Sequence, residues 1–525
     1  MRTRSRLLCC QLLLAYYLGI FATAARAAEG VTFAVTLDRA TAERQLPEQD
    51  GRRTVSGRLY VFLSQREVRE PMRGPSWFQA EPFFGVDVQN VAPGDVLHVD
   101  ARADGYPEAL DKLPAGKYRA QAILDYDFYH QSQAKGVGNF YSAAREITVD
   151  SAETKDGADA KSAAATQTFD LTLDQVIAEE PVAESAWVKE ISLRSELLSK
   201  FFGREVFERA TLVLPAGYDE QLERRYPVVY EIPGFGGSHR PPAKYRETAP
   251  KTEQDETDFI RVYLSGDCKW GHHVYADSAT NGPRGAALVH EMIPFIDSHF
   301  RTIPDSNARF VTGHSSGGWS SLWLQVNYPE TFGGCWSTSP DPVDFRDYQQ
   351  VNLYARPPLS LYYDPQGAMR PIGRRGNEPF LWYVNFGRMD DVIGRGGQLR
   401  SFEAVFSPLG PDGQPQKLWD RRTGQIDPAV AKAWEKYDIR LILERNWPAL
   451  APQLAGKLHI ITGELDTFYL NGAVHKLAES LQALGSDAAV EIVQGKGHSD
   501  LRTPEVVRRI FREMTASFRQ AHPGQ

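Results

Sequence analysis

The chain has 525 residues, more than one ordinary hydrophobic core accommodates, and this length predicts two domains. The formal net charge is -8 at pH 7, so neither nucleic acid nor an anionic membrane is indicated as a partner. A hydrophobic content of 42% with 24% charged residues is typical of a soluble globular protein. We therefore expect a small or carbohydrate-linked substrate.

The N-terminus has the three parts of a secretory signal peptide. Three arginines among the first six residues precede the mostly apolar residues 7–22, and Ala25-Arg26-Ala27 is a small-x-small cleavage site. We predict a signal peptide over residues 1–27, a secreted or periplasmic mature chain, and no stable membrane insertion after cleavage. An uncleaved membrane anchor is the alternative, although the apolar run is short for a full span.

Cysteine usage fits an exported protein. Cys9 and Cys10 lie inside the predicted signal peptide, which leaves Cys268 and Cys335 in the mature chain. Two alternatives stay open, a disulfide between these cysteines or two buried free thiols. No metal site is predicted, because neither cysteine has a set of partners at zinc-ligand spacing.

Residues 28–150 are predicted to form an all-β, sandwich-like domain. Apolar and polar residues alternate over 31–37 and 59–63, and turn sequences such as 92–95 and 113–116 separate the runs. Residues 151–186 are predicted to be a linker, because 151–167 lack large apolar residues. Within that linker, 169–176 could still be a last strand or a short bridging helix.

From residue 187 to 525 the pattern changes to strands that alternate with helices, which predicts an α/β fold. A hairpin over 188–193 and 207–214 is followed by buried strands over 226–232 and 259–264. Alternation of this kind favours a mainly parallel sheet with helices on both faces. Residues of about 341–455 interrupt the alternation and are too many for a connecting loop. We interpret them as a cap insertion over the strand ends, where substrate pockets of such sheets lie.

The pentapeptide Gly313-His314-Ser315-Ser316-Gly317 carries the clearest chemical signal. It stands between a short apolar run and a helical pattern, the strand-to-helix context in which a G-x-S-x-G serine is exposed as a nucleophile. Such a serine needs a general base and an acid that orients the base. We therefore predict that Ser315 is a catalytic nucleophile. His314 is expected to pack at the turn.

The base and the acid are predicted from chain order, which in this architecture runs serine, acid, histidine. His498 is the candidate base, because it lies on a glycine-lined loop after the last predicted strand. The acid should follow the strand over 458–462, where either Glu464 or Asp466 could serve.

An oxyanion intermediate needs two preorganised N–H donors. We assign the backbone of Ser316, the residue after the nucleophile, and of Phe235, in the glycine-rich loop after the strand over 226–232. Trp270 and His272 lie on a loop after a strand end and are predicted to contact substrate. Arg284 could meet an acidic substrate group or, as we favour, lie at the surface.

These motifs together resemble the esterase D or “putative esterase” group of α/β-hydrolases, which includes feruloyl esterases, S-formylglutathione hydrolases and enterochelin esterases. The resemblance runs from about Ala210 to the C-terminus apart from the cap. It implies hydrolysis of a carboxylic ester through an acyl-enzyme, without metal or organic cofactor, and it favours Asp466 over Glu464 as the acid. It rests on Leu214-Pro-Ala-Gly-Tyr218, Arg225-Tyr-Pro-Val-Val-Tyr230, Ala276-Asp-Ser-Ala-Thr-Asn-Gly-Pro283, Glu291-Met-Ile-Pro-Phe-Ile296, Gly313-His-Ser-Ser-Gly-Gly318, Gly463-Glu-Leu-Asp466 and Gly497-His498.

The sequence therefore predicts an exported serine hydrolase that cleaves a small-molecule or glycan-linked carboxylic ester with Ser315, His498 and Asp466. Two alternatives stay open. The same residues could transfer the acyl group to an alcohol, or the hydrolase domain could be a non-catalytic scaffold that binds a glycan or a partner protein.

Overall fold

The computed structural model describes residues 30–48, 51–74, 76–78, 80–150, 166–253 and 256–524. The predicted signal peptide lies outside these residues. The chain divides into two compact units. The first contains the described residues of 30–125 and 140–176, and the second contains 126–139 and 177–524. No helix in the described part of the chain is long and apolar enough to span a membrane.

The first unit is built on a single hydrogen-bonded sheet of nine strands, in the order β4-β1-β9-β7-β6-β2-β3-β5 with β8 added beside β6. This arrangement confirms the prediction of an N-terminal β-rich region, whereas its division into two sandwich layers stays a prediction. One helix, α1 (Arg39–Gln45), follows the first strand. The strands are β1 (Val31–Leu37), β2 (Val55–Ser64), β3 (Phe83–Val91), β4 (Val96–Val99), β5 (Asp104–Tyr106), β6 (Gly116–Asp125), β7 (Phe140–Ser142), β8 (Arg145–Val149) and β9 (Gln167–Val176).

Strand β9 corrects the predicted linker over 151–186. Its ten residues pair in parallel with all of β1, and the rings of Phe33 and Phe169 lie 5.6 Å apart between the two strands. Leu171 and Leu173 are buried while Asp170, Thr172 and Asp174 are exposed, which is the alternation of a half-buried strand. Of the two alternatives for 169–176, the structure therefore has the strand.

The second unit contains an eight-stranded sheet in the order β10-β11-β13-β12-β16-β17-β20-β21. The pairs β10–β11 and β11–β13 are antiparallel, as the predicted opening hairpin requires, and the remaining pairs are parallel. Two short hairpins, β14–β15 and β18–β19, lie outside this sheet. The strands are β10 (Val188–Arg194), β11 (Phe207–Val213), β12 (Val228–Ile232), β13 (Ile260–Leu264), β14 (Asp267–Cys268), β15 (Gly271–His272), β16 (Arg309–His314), β17 (Gly334–Thr338), β18 (Pro371–Arg375), β19 (Glu378–Trp382), β20 (Leu458–Gly463) and β21 (Ala489–Val493).

The helices of this unit supply much of its core. The last helix packs Met514 and Phe518 against Phe310 and Trp336 of the central strands, with all four side chains buried. A π-helical turn, Leu288–Met292, joins α3 to α4. The helices are α2 (Glu196–Phe202), α3 (Arg284–Ala287), α4 (Ile293–His299), α5 (Ser316–Asn327), α6 (Tyr383–Ile393), α7 (Gln398–Phe406), α8 (Pro428–Trp434), α9 (Ile439–Leu454), α10 (Asn471–Ala483) and α11 (Pro504–Ala521).

The segment predicted as an insertion, about 341–455, lies between β17 and β20 in the chain and contains β18, β19 and α6 to α9. Its aromatic core includes Phe345, Phe406 and Trp434, whose rings meet at centroid distances of 5.1 to 5.8 Å. The segment is therefore a folded body with its own buried residues and not an extended loop.

Candidate active site

Ser315 stands at the sharp turn between β16 and α5. Its backbone has φ 60° and ψ −124°, a conformation that a non-glycine residue adopts only under constraint from its surroundings. The surrounding turn supplies two hydrogen bonds: Ser315 N–H donates to Thr338 O at 3.0 Å, and Asp341 N–H donates to Ser315 O at 3.3 Å. The serine is half-buried at the start of the helix, as a nucleophile on such a turn must be.

Gly313 and Gly317 allow this turn because neither position has room for a side chain. A Cβ atom on Gly313 would overlap the backbone of Gly317, and one on Gly317 would overlap the carbonyl oxygen of Ile232. The helix after Ser315 is thereby brought directly against the end of β12. This close packing explains the need for both glycines of the motif.

His498 and Asp466 form a buried pair. His498 Nδ1 lies 2.8 Å from Asp466 Oδ2, and the other carboxylate oxygen accepts hydrogen bonds from the N–H groups of Phe468 and Leu470. Asp466 is fully buried and His498 is 7% exposed. Glu464, the alternative acid, instead accepts a hydrogen bond from Gly495 N–H at 3.0 Å.

The pair shifts both pKa values in the direction that favours an ion pair. Burial opposes the charged imidazole, but the hydrogen bond and charge of Asp466 outweigh it and raise the pKa of His498. Burial likewise opposes the carboxylate, yet the hydrogen bond from His498 and those from Phe468 and Leu470 lower the pKa of Asp466. Asp466 therefore stays ionised while His498 gains basicity.

The serine and the histidine are neighbours but are not hydrogen-bonded in this structure. Within the described part of the chain, no hydrogen bond joins Ser315 Oγ to His498. The ring of His314, the residue before the nucleophile, packs 4.6 Å from the ring of His498. Burial lowers the pKa of His314 to about 3, so it is a neutral packing group. Catalytic hydrogen bonds are often formed only when substrate binds.

The predicted oxyanion loop lies directly against Ser315. Gly237 N–H donates to Gly234 O at 3.0 Å, which closes a tight turn around Phe235. A Cβ atom built on Gly234 would lie only 3.3 Å from Ser315 Cβ. Residues 126–139 also contact this loop, because Lys135 Nζ donates to Gly236 O at 3.0 Å. The roles of Phe235 and Ser316 N–H as oxyanion donors stay predictions.

His272 lies beneath the oxyanion loop. Its Nδ1 accepts a hydrogen bond from Val274 N–H at 2.9 Å, so the proton is on Nε2, which donates to Pro233 O at 3.0 Å. Burial lowers its pKa to about 4, and the ring is therefore neutral. Because backbone groups occupy both ring nitrogens, these contacts favour holding the loop, and contact with substrate stays a prediction.

Trp270 is the other residue of this loop that was predicted to contact substrate. Trp270 is half-buried, with Lys269 Nζ 5.8 Å from its ring centroid. Neither Trp270 nor His272 is among the described residues that line the cavity at Ser315. The contact of Trp270 with substrate also stays a prediction.

A narrow cavity of about 20 Å³ lies beside Ser315. Its wall combines aromatic and aliphatic side chains with one carboxyl and two amide side chains. Most of these residues belong to the insertion. They are Asp341, Gln349, Ile372, Phe386, Gln398, Leu399, Phe402, Phe468 and Leu470. A more open depression of the same unit, lined in part by Val289, Asp297, Arg309 and Glu330, contains none of the predicted catalytic residues.

Two functional candidates were missed by sequence reasoning. Arg374 of β18 donates from Nε to Asp466 O at 3.0 Å and from Nη2 to Glu464 O at 2.9 Å, and so ties the insertion to the acid turn. Asp341 lies at the cavity wall, 3% exposed, three residues after β17. No local sequence motif identifies Arg374 or Asp341, because the residues that each of them contacts are distant in the chain.

Arg284 is a correction to the sequence analysis. It is 6% exposed and pairs with buried Glu208 at 2.7 Å, so it is neither a surface residue nor free to meet a substrate. Asp277 caps α3, the helix that begins at Arg284, since Asp277 Oδ1 accepts a hydrogen bond from Gly285 N–H at 2.8 Å. A buried charge is tolerated only when an oppositely charged partner lies close enough to compensate for its removal from water.

Both cysteines of the predicted mature chain are buried free thiols, which settles the open alternative against a disulfide in this structure. Burial raises the pKa of Cys268 and of Cys335 to about 12, so both stay protonated. Within the described residues, no group of three or more His, Cys, Asp or Glu side chains is arranged to hold a metal ion.

The family described as “Putative esterase” matches residues 208–499, more than half of the chain. The chain belongs to this family. The resemblance read from the sequence motifs is thereby confirmed, and family membership supports a carboxylic ester hydrolase with an α/β-hydrolase fold. The matched range contains all the residues proposed for the site from Phe235 to His498.

Further similarities of this esterase-family chain are more distant. It is 26% identical over 144 residues to “Uncharacterized protein YjcH” of Bacillus subtilis (strain 168), a match that covers 27% of this chain and 60% of that protein. A solved ferulic acid esterase is 13% identical, with a TM-score of 0.40, over 63% of this chain and 98% of its own. An S-formylglutathione hydrolase from Agrobacterium tumefaciens is 15% identical, with a TM-score of 0.38, over 64% and 97% of the two chains.

Proposed function

We propose that the protein is an exported serine esterase that hydrolyses a small-molecule or glycan-linked carboxylic ester through an acyl-enzyme on Ser315. The observation that carries the proposal is the buried pair of His498 Nδ1 and Asp466 Oδ2, 2.8 Å apart, next to a serine on a constrained turn. This is the combination of base, orienting acid and exposed nucleophile that acyl transfer needs. The domain over 187–525, its helices on both sheet faces and the cap insertion at about 341–455 are parts of the same proposal.

The mechanism begins with attack of Ser315 Oγ on the ester carbonyl while His498 Nε2 takes the hydroxyl proton. Asp466 stabilises the imidazolium that forms and holds the tautomer with Nε2 free to accept. The backbone N–H groups of Ser316 and Phe235 bind the oxyanion of the tetrahedral intermediate. His498 then returns the proton to the leaving alcohol, which completes the acyl-enzyme.

Deacylation repeats the sequence with water in place of the serine. His498 removes a proton from the water, which attacks the acyl carbonyl, and the proton passes to Ser315 Oγ as the acid leaves. An added alcohol that reaches the acyl-enzyme first would give a new ester. Product analysis with and without an acceptor alcohol therefore separates hydrolysis from acyl transfer.

The test is turnover of p-nitrophenyl acetate and butyrate by the mature protein and by Ser315→Ala and His498→Ala. Each substitution should reduce kcat by at least about 10⁴-fold, because the triad acts as a unit. Ser298→Ala and His299→Ala are matched controls, since both residues are exposed. A fluorophosphonate should label Ser315 alone, as located by peptide mass. Labelling of another serine, or full activity in Ser315→Ala, would refute the mechanism.

Non-catalytic binding is the remaining alternative from a different class. It predicts that folded wild-type protein turns over no ester and takes up no fluorophosphonate. The same experiment therefore decides between the esterase and a scaffold that binds a glycan or a partner.

A further inference from the structure

Asp341 is a buried carboxyl group in the immediate surroundings of the nucleophile. It is 3% exposed, its N–H donates to Ser315 O at 3.3 Å, and its side chain lines the same cavity as Ser315. The mechanism of ester cleavage gives it no role, since Asp466 already orients His498. Its position at the end of β17 brings a second carboxyl group to the carboxyl edge of the sheet, where substrates of such folds bind.

One of the two carboxyl oxygens of Asp341 lacks a hydrogen-bond partner in the described part of the chain. Its Oδ2 is buried and has no hydrogen-bond partner among the described residues. The Ser316 hydroxyl group lies close to the Asp341 carboxyl group and lowers its pKa against the larger effect of burial, although it makes no hydrogen bond of normal geometry within the described part of the chain. Buried polar groups are nearly always paired, and an orphaned one at a cavity wall indicates a partner that comes from a ligand.

The protonation state of Asp341 defines what that partner must be. Burial raises the pKa of Asp341 to about 6, so the carboxylate is the main form at pH 7 to 8. A carboxylate only accepts hydrogen bonds. The ligand must therefore provide a donor, either a neutral hydroxyl group or a cationic amine.

Three features of the cavity favour the hydroxyl group over a cation. The other described residues of the wall carry no charge, and Phe386, Phe402 and Phe468 are among them. Gln398, which also lines the cavity, offers an amide that suits a neutral polar group. A cation at Asp341 would also oppose the positive charge that forms on His498 during the reaction, because the charges of Asp341 and His498 already interact.

We propose that Asp341 is a specificity residue whose carboxylate accepts a hydrogen bond from a hydroxyl group carried close to the scissile ester, on either its acyl or its alcohol side. This inference rests on the proposed esterase function and deepens it, because it names the substrate class as hydroxylated esters. The contact would pair an otherwise orphaned charge, so an ester without the hydroxyl group leaves Asp341 unsatisfied and is discriminated against.

The experiment compares esters that differ only by a hydroxyl group and a methyl group of similar size. Methyl glycolate and methyl propionate test the acyl side, and 2-hydroxyethyl acetate and propyl acetate test the alcohol side. Protonated 2-(dimethylamino)ethyl acetate, whose ammonium group donates a hydrogen bond, and its isostere 3-methylbutyl acetate test a cation. The kcat/KM of each ester is measured by pH-stat titration for the wild type, Asp341→Leu and Asp219→Leu, a matched control at an exposed position.

We expect one hydroxylated ester to be preferred by the wild type and by Asp219→Leu, and the preference to fall by about 10- to 100-fold in Asp341→Leu, the range of a hydrogen bond to a charged group. If Asp341→Leu does not fold by circular dichroism, Asp341→Asn is used instead, and a several-fold fall is expected. A preference that is equal in the wild type and the Asp341 variant overturns the proposal, as does an Asp341-dependent preference for protonated 2-(dimethylamino)ethyl acetate alone.

The outcomes also separate this inference from the proposed function. Ser315→Ala decides whether ester turnover uses the proposed nucleophile, whatever the ester. Turnover that depends on Ser315 but shows no Asp341-dependent preference refutes the inference and leaves the esterase function standing. Absence of turnover from every ester refutes the esterase function itself.

Discussion

Replacement of Gly317 by alanine is expected to inactivate the esterase while leaving it folded. A Cβ atom at this position would lie 2.7 Å from Pro233 O and still closer to Ile232 O. Ordinary non-bonded contacts to oxygen are about 3.4 Å, so Pro233 O must move by about 0.7 Å and Ile232 O by more. The required shift is on the order of 1 Å, and it falls at the start of the oxyanion loop.

A misplacement of about 1 Å at a catalytic group costs roughly 10²-fold in rate. We therefore expect kcat for p-nitrophenyl butyrate to fall by about 10²-fold in Gly317→Ala, with a smaller change in KM, because the displaced N–H groups act on the oxyanion. Gly485→Ala is the matched control. Gly485 has φ 69° and no atom within 4 Å of a built Cβ, so alanine there brings backbone strain without moving the site.

The assay combines kcat and KM with thermal unfolding of both variants. Both should lose some stability, about 1 kcal/mol for Gly485→Ala from the left-handed backbone, and only Gly317→Ala should lose kcat. A folded Gly317→Ala protein whose kcat stays within threefold of the wild type would show that the oxyanion loop is not where the geometry implies, or that it relaxes without cost.

Asp466→Asn should lower kcat by about 10⁴-fold and move the acidic limb of kcat/KM to lower pH, because the carboxylate raises the pKa of His498 and the neutral imidazole is the active base. A pH profile of ester hydrolysis measures both effects, and an acidic limb that does not move would contradict the pairing. Arg284→Met should lower the free energy of unfolding in urea by about 3–5 kcal/mol, because it leaves the Glu208 carboxylate buried and unpaired. Arg445→Met, which removes an exposed ion pair to Glu435, should cost under about 1 kcal/mol, and equal losses in the two variants would refute the argument.

The sequence singled out Ser315 and His498 as the proposed nucleophile and base because both obey local and topological rules. Gly313 and Gly317 flank Ser315 in a pattern that only a tight strand-to-helix turn requires, and the structure has that turn. His498 was selected by its place after the last strand, and its partner Asp466 by the resemblance to a family. Strand periodicity likewise predicted the opening hairpin and the N-terminal β-rich region, since alternation is a property of neighbouring residues.

Long-range packing determined features of the fold that no local sequence pattern indicates. Arg284 looks like a surface residue in the sequence, yet folding buries it against Glu208, 76 residues away. The predicted linker boundary was wrong for the same reason. Strand β9 belongs to the sheet because it pairs with β1, which is distant from it in the sequence.

Local sequence patterns were also insufficient to predict the surroundings of Ser315 and His498. The choice between Glu464 and Asp466 depends on which carboxylate the turn after β20 directs toward His498. The walls of the cavity, including Asp341, come from segments that only the folded insertion brings over Ser315. The sequence by itself therefore determined the class of chemistry, through short motifs with strict backbone requirements. The tertiary structure alone decided which side chains surround the reacting atoms, because their proximity arises from packing between distant segments.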